Sequence, residues 1–464
     1  MGFETRNFDG YAGDVRMGPL GVDPLAILVL MRRMFTWRQI PKMLELKELL
    51  LAAITEHPDW PESERGDLLG ECDLIMSFLC YNDISAMSRL HRSASAQMSR
   101  PAISIQKSGG WTFGSPSVLM MFYRASGELQ SELTEMDECM PHYYKITNGH
   151  GQGAETIMRA EADFMRACFA DAQIMLERAY AQIDGNGQEN MALCCDFLAW
   201  RLSLCTSFTP RESFEQRREA LLQQHNVAWL NILQSSCAYY YALLGLPEKI
   251  PAVFREHQLA SIHFLAPGKP MMELIENQVY LAQGEYAKVI GHSEALLGMC
   301  EAMHYALVAL HIRLQTAAAY EMLGKRETAD ELLISALAAA EPDALYLPFV
   351  ENYRYLKTAL TRGAGAKFAA FVRTVTPLGE DFVRRCGEKC AEGSRPALAG
   401  LTERESAIAA LVAKRLSNRE IAEQLFLSEG SVKQYINQIY SKLLITGDVR
   451  TKRKRLAELA APKS

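Results

Sequence analysis

The spacing of apolar residues predicts helices along almost the whole chain. From about residue 40 to 360 the apolar positions recur at helical spacing, and the alternation typical of half-buried strands is nearly absent. Ala, Leu and Met are frequent in these segments, which run roughly 12 to 18 residues between short polar breaks. We therefore expect an all-α protein without a substantial sheet.

Regularly spaced glycines indicate that the helices repeat as pairs. Gly245, Gly284 and Gly324 lie 39 and 40 residues apart, each after an apolar helical segment. Gly127 and Cys168, 41 residues apart, extend the series backwards, and the gap of 77 residues to Gly245 has room for one degenerate unit. Helix pairs that repeat every ~34 to 47 residues are typical of TPR-like solenoids, in which each pair buries one face against its neighbours. We expect such an α-solenoid over residues 24–390, with a non-repetitive helical bundle as the alternative.

A compact set of helix-start signals follows near the C-terminus. Thr402–Glu405 has the T-x-x-E form of a capping box, Ser417–Glu420 has the form S-x-x-E, and Ser428 precedes a third helical run. Only Phe426 and Leu427, with the Ser428 cap, separate the second helix from the third. A turn this short is what a helix-turn-helix needs to place one helix in a DNA groove.

The third helix of this set has one apolar and one polar face. Its expected buried positions, at i, i+4 and i+7 spacing, are Val432, Ile436, Ile439 and Leu443. The rest of the helix carries residue types that contact base edges and phosphates, namely Ser431, Lys433, Gln434, Asn437 and Gln438. One amphipathic helix alone would be an ordinary solvated helix, but three capped helices in order favour DNA binding.

The same residues resemble the LuxR-type helix-turn-helix. The resemblance is carried by Leu401-Thr402-x-Arg404-Glu405, Ser417-Asn418-Arg419-Glu420-Ile421-Ala422, Leu425, Ser428-Glu429-x-Ser431-Val432-Lys433 and Lys442-Leu443. It implies a four-helix domain over residues 401–464, at the C-terminus of a bacterial transcription regulator. It also implies that Lys433, Gln434 and Asn437 face bases, and that the residues near the phosphate backbone are Ser417, Asn418, Ser428 and Ser431.

The charge distribution agrees with this interpretation. Residues 397–464 contain 12 Lys and Arg against 7 Asp and Glu, whereas residues 1–396 contain 37 against 48. A basic end on an acidic body is expected for a nucleic-acid-binding domain joined to another domain. The densest cluster, residues 450–455, includes Lys452 and Arg453. This cluster is either a solvated helix face or a phosphate-binding surface with salt-sensitive affinity.

The order of the two regions resembles that of MalT-like regulators, in which helical repeats precede a LuxR-type domain. Residues 340–350 resemble the end of the repeats in that family. Full-length members also carry an N-terminal ATPase, but no G-x-x-x-x-G-K-[ST] phosphate loop occurs in this chain. The glycine cluster Gly149–Ala154 lacks the following Lys and a preceding strand, so it favours a plain loop over an anion site. An ATP switch is not expected.

Aromatic residues on two irregular segments are candidates for contacting a small ligand. Trp111 and Phe113 lie in the turn-rich stretch at 109–116, and Tyr143 and Tyr144 lie near a helix end. These four side chains could line a site on the repeats, or they could serve only to pack helix ends together.

Other classes of function find little support. The eleven cysteines, scattered through helices, indicate a reduced, cytoplasmic protein. Cys386 and Cys390 are one helical turn apart, but the four ligands of a structural zinc site are not available, so we expect no metal. No cofactor-binding or catalytic motif occurs, so we expect neither a cofactor nor an enzyme. No apolar run approaches the ~20 residues that span a bilayer, so we expect no membrane contact.

Together these patterns predict a one-component, DNA-binding transcription regulator. Residues 1–23 are expected to be loose and residues 391–400 to form a linker between the repeats and the DNA-binding domain. The expected partners are double-stranded DNA, bound as a homodimer, and an unknown small-molecule or protein effector held by the repeats. The alternative is a TPR-like interaction scaffold in which DNA binding is secondary or lost, and the acidic repeat region favours that alternative.

Overall fold

The computed structural model describes residues 23–224, 227–262, 265–363, 365–393, 401–443, 445 and 447–460. Over these ranges the chain forms helices and turns without a strand, which confirms the all-α prediction. No helix in the same ranges is both long and apolar enough to cross a bilayer. Contacts divide the chain into two units, with the boundary between Val383 and Arg384 inside a helix. Residues 1–22 and 394–400, which hold most of the predicted loose segment and linker, lie outside the described residues.

The N-terminal unit is built from helices that pack mainly against their neighbours in sequence. Its helices are α1 (Pro24–Thr36), α2 (Ile40–Glu56), α3 (Glu62–Met76), α4 (Ile84–Gln97), α5 (Leu119–Phe122), α6 (Leu129–Ile146), α7 (Ala154–Met165), α8 (Phe169–Ile183), α9 (Glu189–Cys205), α10 (Phe214–Gln223), α11 (Val227–Leu244), α12 (Ala252–Arg255), α13 (Lys269–Gln283), α14 (Tyr286–Ala302), α15 (Ala306–Met322), α16 (Arg326–Ala340), α17 (Leu347–Glu351) and α18 (Tyr353–Gly363). Helix α19 (Ala369–Gly393) contains the boundary.

Two helical hairpins come closest to the predicted repeat. Helices α13 and α14 are joined at Gly284, and α15 and α16 are joined at Gly324, with φ of 77° and 75°. Glycine suits both turns because this left-handed conformation costs other residues free energy. The first helices of successive pairs also contact each other, α9 with α11, α11 with α13 and α13 with α15. This sequence of contacts between the first helices of successive pairs fits a helical-repeat array.

The other members of the predicted glycine series have different positions in the fold. Gly245 ends α11, but only a turn and the four-residue helix α12 follow it, so this unit lacks a full second helix. The turn between α7 and α8 has Ala167 in the left-handed conformation, with φ of 60°, and not Cys168. Gly127 lies just before α6, where its amide donates to Asp343 at 2.6 Å. Equal spacing in the sequence therefore does not give equivalent turns.

Asp343 joins segments of the N-terminal unit that are far apart in sequence. Its carboxylate accepts hydrogen bonds from the Tyr123 hydroxyl and the Gly127 amide, both at 2.6 Å. Its carbonyl accepts from Nε of Arg166 at 3.0 Å, and the Tyr346 amide donates to the Met165 carbonyl at 2.8 Å. About two hundred residues separate these partners in sequence, and we refer to this set of long-range hydrogen bonds as the closure. Residues 340–350, which resemble the end of the repeats, are the segment that makes this closure.

Arg201 on α9 and Glu351 on α17 form a buried ion pair. Arg201 on α9 donates from Nε and Nη2 to the Glu351 carboxylate at 2.8 and 3.1 Å, and both side chains are 1 % exposed. The Tyr239 hydroxyl donates to the same carboxylate at 2.8 Å. The rings of Phe164 and Phe197 lie within 4.8 and 5.2 Å of the guanidinium carbon. A charge this deeply buried needs such partners, because desolvation alone would be costly.

The C-terminal unit contains the four helices that the sequence predicts. They are α20 (Glu403–Ala413), α21 (Asn418–Leu425), α22 (Glu429–Lys442) and α23 (Val449–Ala460). Both capping boxes form, and the Ser428 hydroxyl accepts from the Ser431 amide at 3.0 Å. The residues buried at its centre are Ile408, Ala409, Val412, Ile421, Ala422, Val432, Ile436, Ile439, Tyr440, Ile445 and Leu456. Leu443, also expected there, packs against this core while partly exposed.

Candidate nucleic-acid interface and ligand cavity

Helix α22 presents a continuous polar face to solvent. Its apolar positions are buried against α20 and α21, which leaves Lys433, Gln434, Asn437, Gln438 and Ser441 exposed at i, i+1, i+4, i+5 and i+8. Such a face extends for about 12 Å, and the major groove of B-DNA is about as wide. Lys433 has no carboxylate within ion-pair distance among the described residues. The three residues predicted to face bases therefore lie together on one exposed surface.

The predicted phosphate-facing residues flank this surface with different local roles. Ser417 and Ser428 cap α21 and α22, so their hydroxyls already accept backbone hydrogen bonds. The Ser431 hydroxyl lies 2.8 Å from that of Ser428, at the first turn of α22. Helix N-termini favour anions because unpaired amides and the helix dipole point there. The position of these serines is thus compatible with phosphate contact.

Asn418 and Arg453 interact with each other. Nη1 of Arg453 donates to the Asn418 side-chain oxygen at 2.6 Å, and Nη2 donates to the Leu416 carbonyl at 2.6 Å. Lys452 lies over the Tyr440 ring, 5.9 Å from its centre. Arg453 therefore ties α23 to the start of α21, a structural role that the charge run did not indicate.

Arg404 and Lys442, which sequence reasoning did not select, border the same groove as the exposed face of α22. Nζ of Lys442 donates to Glu405 at 2.7 Å, and that carboxylate also accepts from the Thr402 amide at 2.7 Å. The hydrogen bond from Lys442 is the main reason why the pKa of Glu405 is lowered. Arg404 and Lys442 both lie in the segments that resemble the LuxR-type helix-turn-helix. That resemblance was the feature of the sequence that could have identified them.

These features define a helix-turn-helix domain of the DNA-binding kind. Residues 399–453 match the family model described as bacterial regulatory proteins, luxR family. The transcriptional regulatory protein LnrK of Bacillus subtilis is 46% identical over 48 residues, which cover 10% of this chain and 22% of that protein. The matched segment thus covers much less than two thirds of the length of LnrK. The C-terminal unit is a LuxR-type helix-turn-helix domain, whereas the function of the whole chain is a matter for proposal.

A cavity of about 90 Å³ lies in the N-terminal unit, between α1, α4, α6 and the loop before α5. Trp111, Phe113 and Tyr143 line it, so three of the four predicted ligand-contacting aromatics come together there. Tyr144 does not, because its hydroxyl points to the Gly151 carbonyl and to Glu155. The remaining lining residues include Arg32, Phe35, Phe78, Tyr81, Met87, His91, Phe122 and His150.

The loop that carries the aromatic residues is fixed by one buried asparagine. The Asn190 side-chain oxygen accepts from the amides of Trp111 and Thr112 at 2.7 and 2.9 Å, and its amide donates to the Thr112 hydroxyl at 2.9 Å. A Cβ on Gly151 would lie 2.2 Å from the Trp111 ring, so this position requires glycine. The glycine cluster is therefore a packed set of turns against Trp111, which differs from the plain loop expected.

Two neutral histidines contribute to the cavity wall. The Ser77 hydroxyl donates to the Leu74 carbonyl, so it accepts from Nε2 of His91 at 2.9 Å. Burial lowers the pKa of His91 to about 3 and that of His150 to about 4. Nε2 of His150 donates to the Gly109 carbonyl at 3.2 Å, which leaves Nδ1 to accept from the Tyr143 hydroxyl at 2.7 Å. Burial also raises the pKa of Tyr143, so all three groups are uncharged at neutral pH.

Arg32 is the cation among the residues that line this cavity, and no motif in the sequence pointed to it. Its Nη1 donates to the Ser104 carbonyl. The buried Glu71 accepts from the amides of Ile103 and Ser104, both at 2.9 Å, and so fixes that carbonyl. Nothing in the sequence near Arg32 connects it to residues 104 or 143, and only the tertiary fold brings them together.

Proposed function

We propose that this protein is a sequence-specific transcription regulator whose helical array binds an effector. The observation that carries the proposal is the unpaired polar face of α22 in a LuxR-type domain. Lys433, Gln434 and Asn437 read base edges in the major groove, and the caps of α21 and α22 contact phosphates. The array has the TPR-like organisation of MalT-like regulators, and its cavity receives the effector.

DNA binding proceeds through two copies of the chain. Sequence-reading helices in this class act in pairs, so two copies of α22 contact half-sites about one helical turn apart on one face of the duplex. The basic C-terminal segment adds salt-sensitive affinity through counterion release. The effector changes the DNA affinity of the pair by binding one state of the protein more tightly than the other.

The test begins with selection of duplexes from a random pool by the full-length protein. We expect an enriched site with two related half-sites. In a salt series, the logarithm of the binding constant should fall linearly with that of the salt concentration. Lys433→Ala should weaken binding to the selected site by about tenfold or more, with little change for a scrambled duplex, since a base contact mainly sets specificity.

Lys325→Ala is the matched control. Lys325 is exposed on the helical array, so its removal changes the net charge equally without touching α22. It should bind the selected site as wild type does. Failure to enrich any site, or equal affinity of Lys433→Ala and wild type, would contradict the proposal. Stable co-purification of a protein partner without DNA binding would instead favour an interaction scaffold.

A further inference from the structure

The cavity combines aromatic walls with a single permanent charge. Trp111 packs against Phe122 with ring centres 4.9 Å apart, Phe113 meets Tyr81 edge-on at 5.0 Å, and Phe35 lies 5.4 Å from Phe78. Such walls bind flat apolar groups well. Phe113 holds a left-handed conformation, with φ of 52°, although it is not glycine. Strain of this kind is frequent at ligand sites.

Among the residues that the structure describes, none places a carboxylate within ion-pair distance of the Arg32 guanidinium. Its Nη1 donates to the neutral Ser104 carbonyl. Burial lowers the pKa of Arg32, which reflects the cost of holding this charge away from water. Three other polar groups on the wall, those of His91, Tyr143 and His150, are uncharged. Within the part of the chain that the structure describes, the site therefore carries one positive charge with no acid beside it to neutralise it.

The volume limits what can enter. An apolar cavity of ~150 Å³ holds benzene, so about 90 Å³ is less than one ring needs, and a ring fits only by reaching into adjoining space. A second, more open cavity of about 230 Å³ adjoins it, and Phe35, Phe78, Tyr81 and Phe113 line both. A substituent longer than one ring would have to extend past these four aromatic side chains.

We propose that the cavity binds a monocyclic aromatic monocarboxylate, with its ring against Trp111, Phe113 and Phe122 and its carboxylate on Arg32. This assignment rests on the proposed function, since it names the chemical class of the effector. The guanidinium fork matches a carboxylate in shape and charge, and the neutral histidines favour an anion of charge −1 over a dianion. The ligand would supply the acid that Arg32 lacks.

The experiment is calorimetric titration of the purified full-length protein with benzoate and phenylacetate. Benzamide serves as the neutral analogue of benzoate, and benzamidine as the cationic one. Wild type should bind at least one of the two carboxylates about tenfold or more tightly than benzamide, with benzamidine weakest. The assignment would be overturned if neither carboxylate bound more tightly than benzamide, or if neither bound at all.

Variants at neighbouring arginines locate the site. Arg32→Gln should lose about tenfold or more in carboxylate affinity, whereas Arg33→Gln, at an exposed position one residue on, should bind as wild type does. Arg32→Lys keeps the positive charge but not the guanidinium fork, so its carboxylate affinity should lie between those of Arg32→Gln and wild type. This intermediate variant guards against the possibility that Arg32→Gln simply misfolds. Wild-type affinity in Arg32→Gln would overturn the assignment.

DNA binding is measured on the same proteins. Arg32→Gln should still bind the selected duplex without ligand, because Arg32 lies in the N-terminal unit. A protein that binds carboxylate but no DNA would refute the proposed function and leave the ligand assignment standing. A protein that binds DNA but no carboxylate would refute the ligand assignment and leave the proposed function standing.

Discussion

His91 is held as an uncharged hydrogen-bond donor inside the N-terminal unit. It is 5 % exposed, its ring lies 5.0 Å from that of Tyr143, and Ser77 accepts its Nε2 proton. Burial is the main cause that lowers its pKa to about 3, with the nearby His142 as a second cause. The unfolded chain takes up a proton at this residue below about pH 6.5, while the folded chain does not until about pH 3.

This difference in pKa between the unfolded and folded chain predicts that His91 makes the protein less stable as the pH falls. Between about pH 6.5 and 3 the unfolded state binds more protons, so His91 lowers the free energy of unfolding as the pH falls. Relative to His91→Gln, wild type should lose roughly 2 kcal/mol between pH 7 and pH 5. Urea unfolding at the two pH values measures this. A parallel pH dependence in the two proteins would show that His91 is protonated while folded.

The elements of the C-terminal unit follow local rules that the sequence displays. Capping boxes, a short turn and an i, i+4 apolar stripe are each set by residues within one or two helical turns. They therefore predicted the helices and the exposed face of α22 correctly. The pairing of Arg453 with Asn418 spans 35 residues and depends on how α23 packs, so no local pattern indicated it.

Two glycines of this unit should respond to alanine in opposite ways. Gly430 lies in the first turn of α22, where an added Cβ meets nothing closer than the Ser428 hydroxyl at 3.8 Å. Gly430→Ala should raise the free energy of unfolding by roughly 0.5–1 kcal/mol, because alanine restricts the unfolded chain and favours helix. Gly447 has φ of 129° and Thr451 within 3.3 Å, so Gly447→Ala should destabilise.

Urea unfolding of residues 384–464, followed by circular dichroism, measures both changes. A loss of stability in Gly430→Ala would mean that its Cβ meets an obstacle in solution. If Gly447→Ala were neutral, the left-handed turn before α23 would not be required for folding.

At the scale of the whole helical unit, the sequence predicted an all-α fold and the turns at Gly284 and Gly324, but not the closure. The contacts of Asp343 with Tyr123 and Gly127 join residues more than 200 positions apart. Similarly, the cavity gathers aromatic side chains that the sequence identified, but also Arg32, His91 and His150, which it did not connect. Periodicity reports which face of a helix is buried, not which distant helix covers it.

The buried pair of Arg201 and Glu351 tests how strongly the closure stabilises this unit. Arg201→Met leaves the Glu351 carboxylate buried with Tyr239 as its remaining hydrogen-bond donor. We expect it to lower the free energy of unfolding by roughly 3–5 kcal/mol, and the double variant Arg201→Met/Glu351→Leu to recover much of that loss.

Urea unfolding of the four proteins of this cycle gives the coupling between the two residues. Hydrogen exchange should show α9 and α17 losing protection together in Arg201→Met, because both helices hold the pair. Additive effects in the cycle, or lost protection confined to α9, would show that the pair does not stabilise the closure.

The closed array also fixes the number of its helix pairs. In an open solenoid each unit contacts only its neighbours, so units are gained or lost with local consequences. Here an added pair would move Asp343 away from Tyr123 and Gly127, and a deleted pair would pull them past each other. Length variation among proteins that share this closure should therefore fall in surface turns, while the count of helix pairs between residues 123 and 343 stays constant.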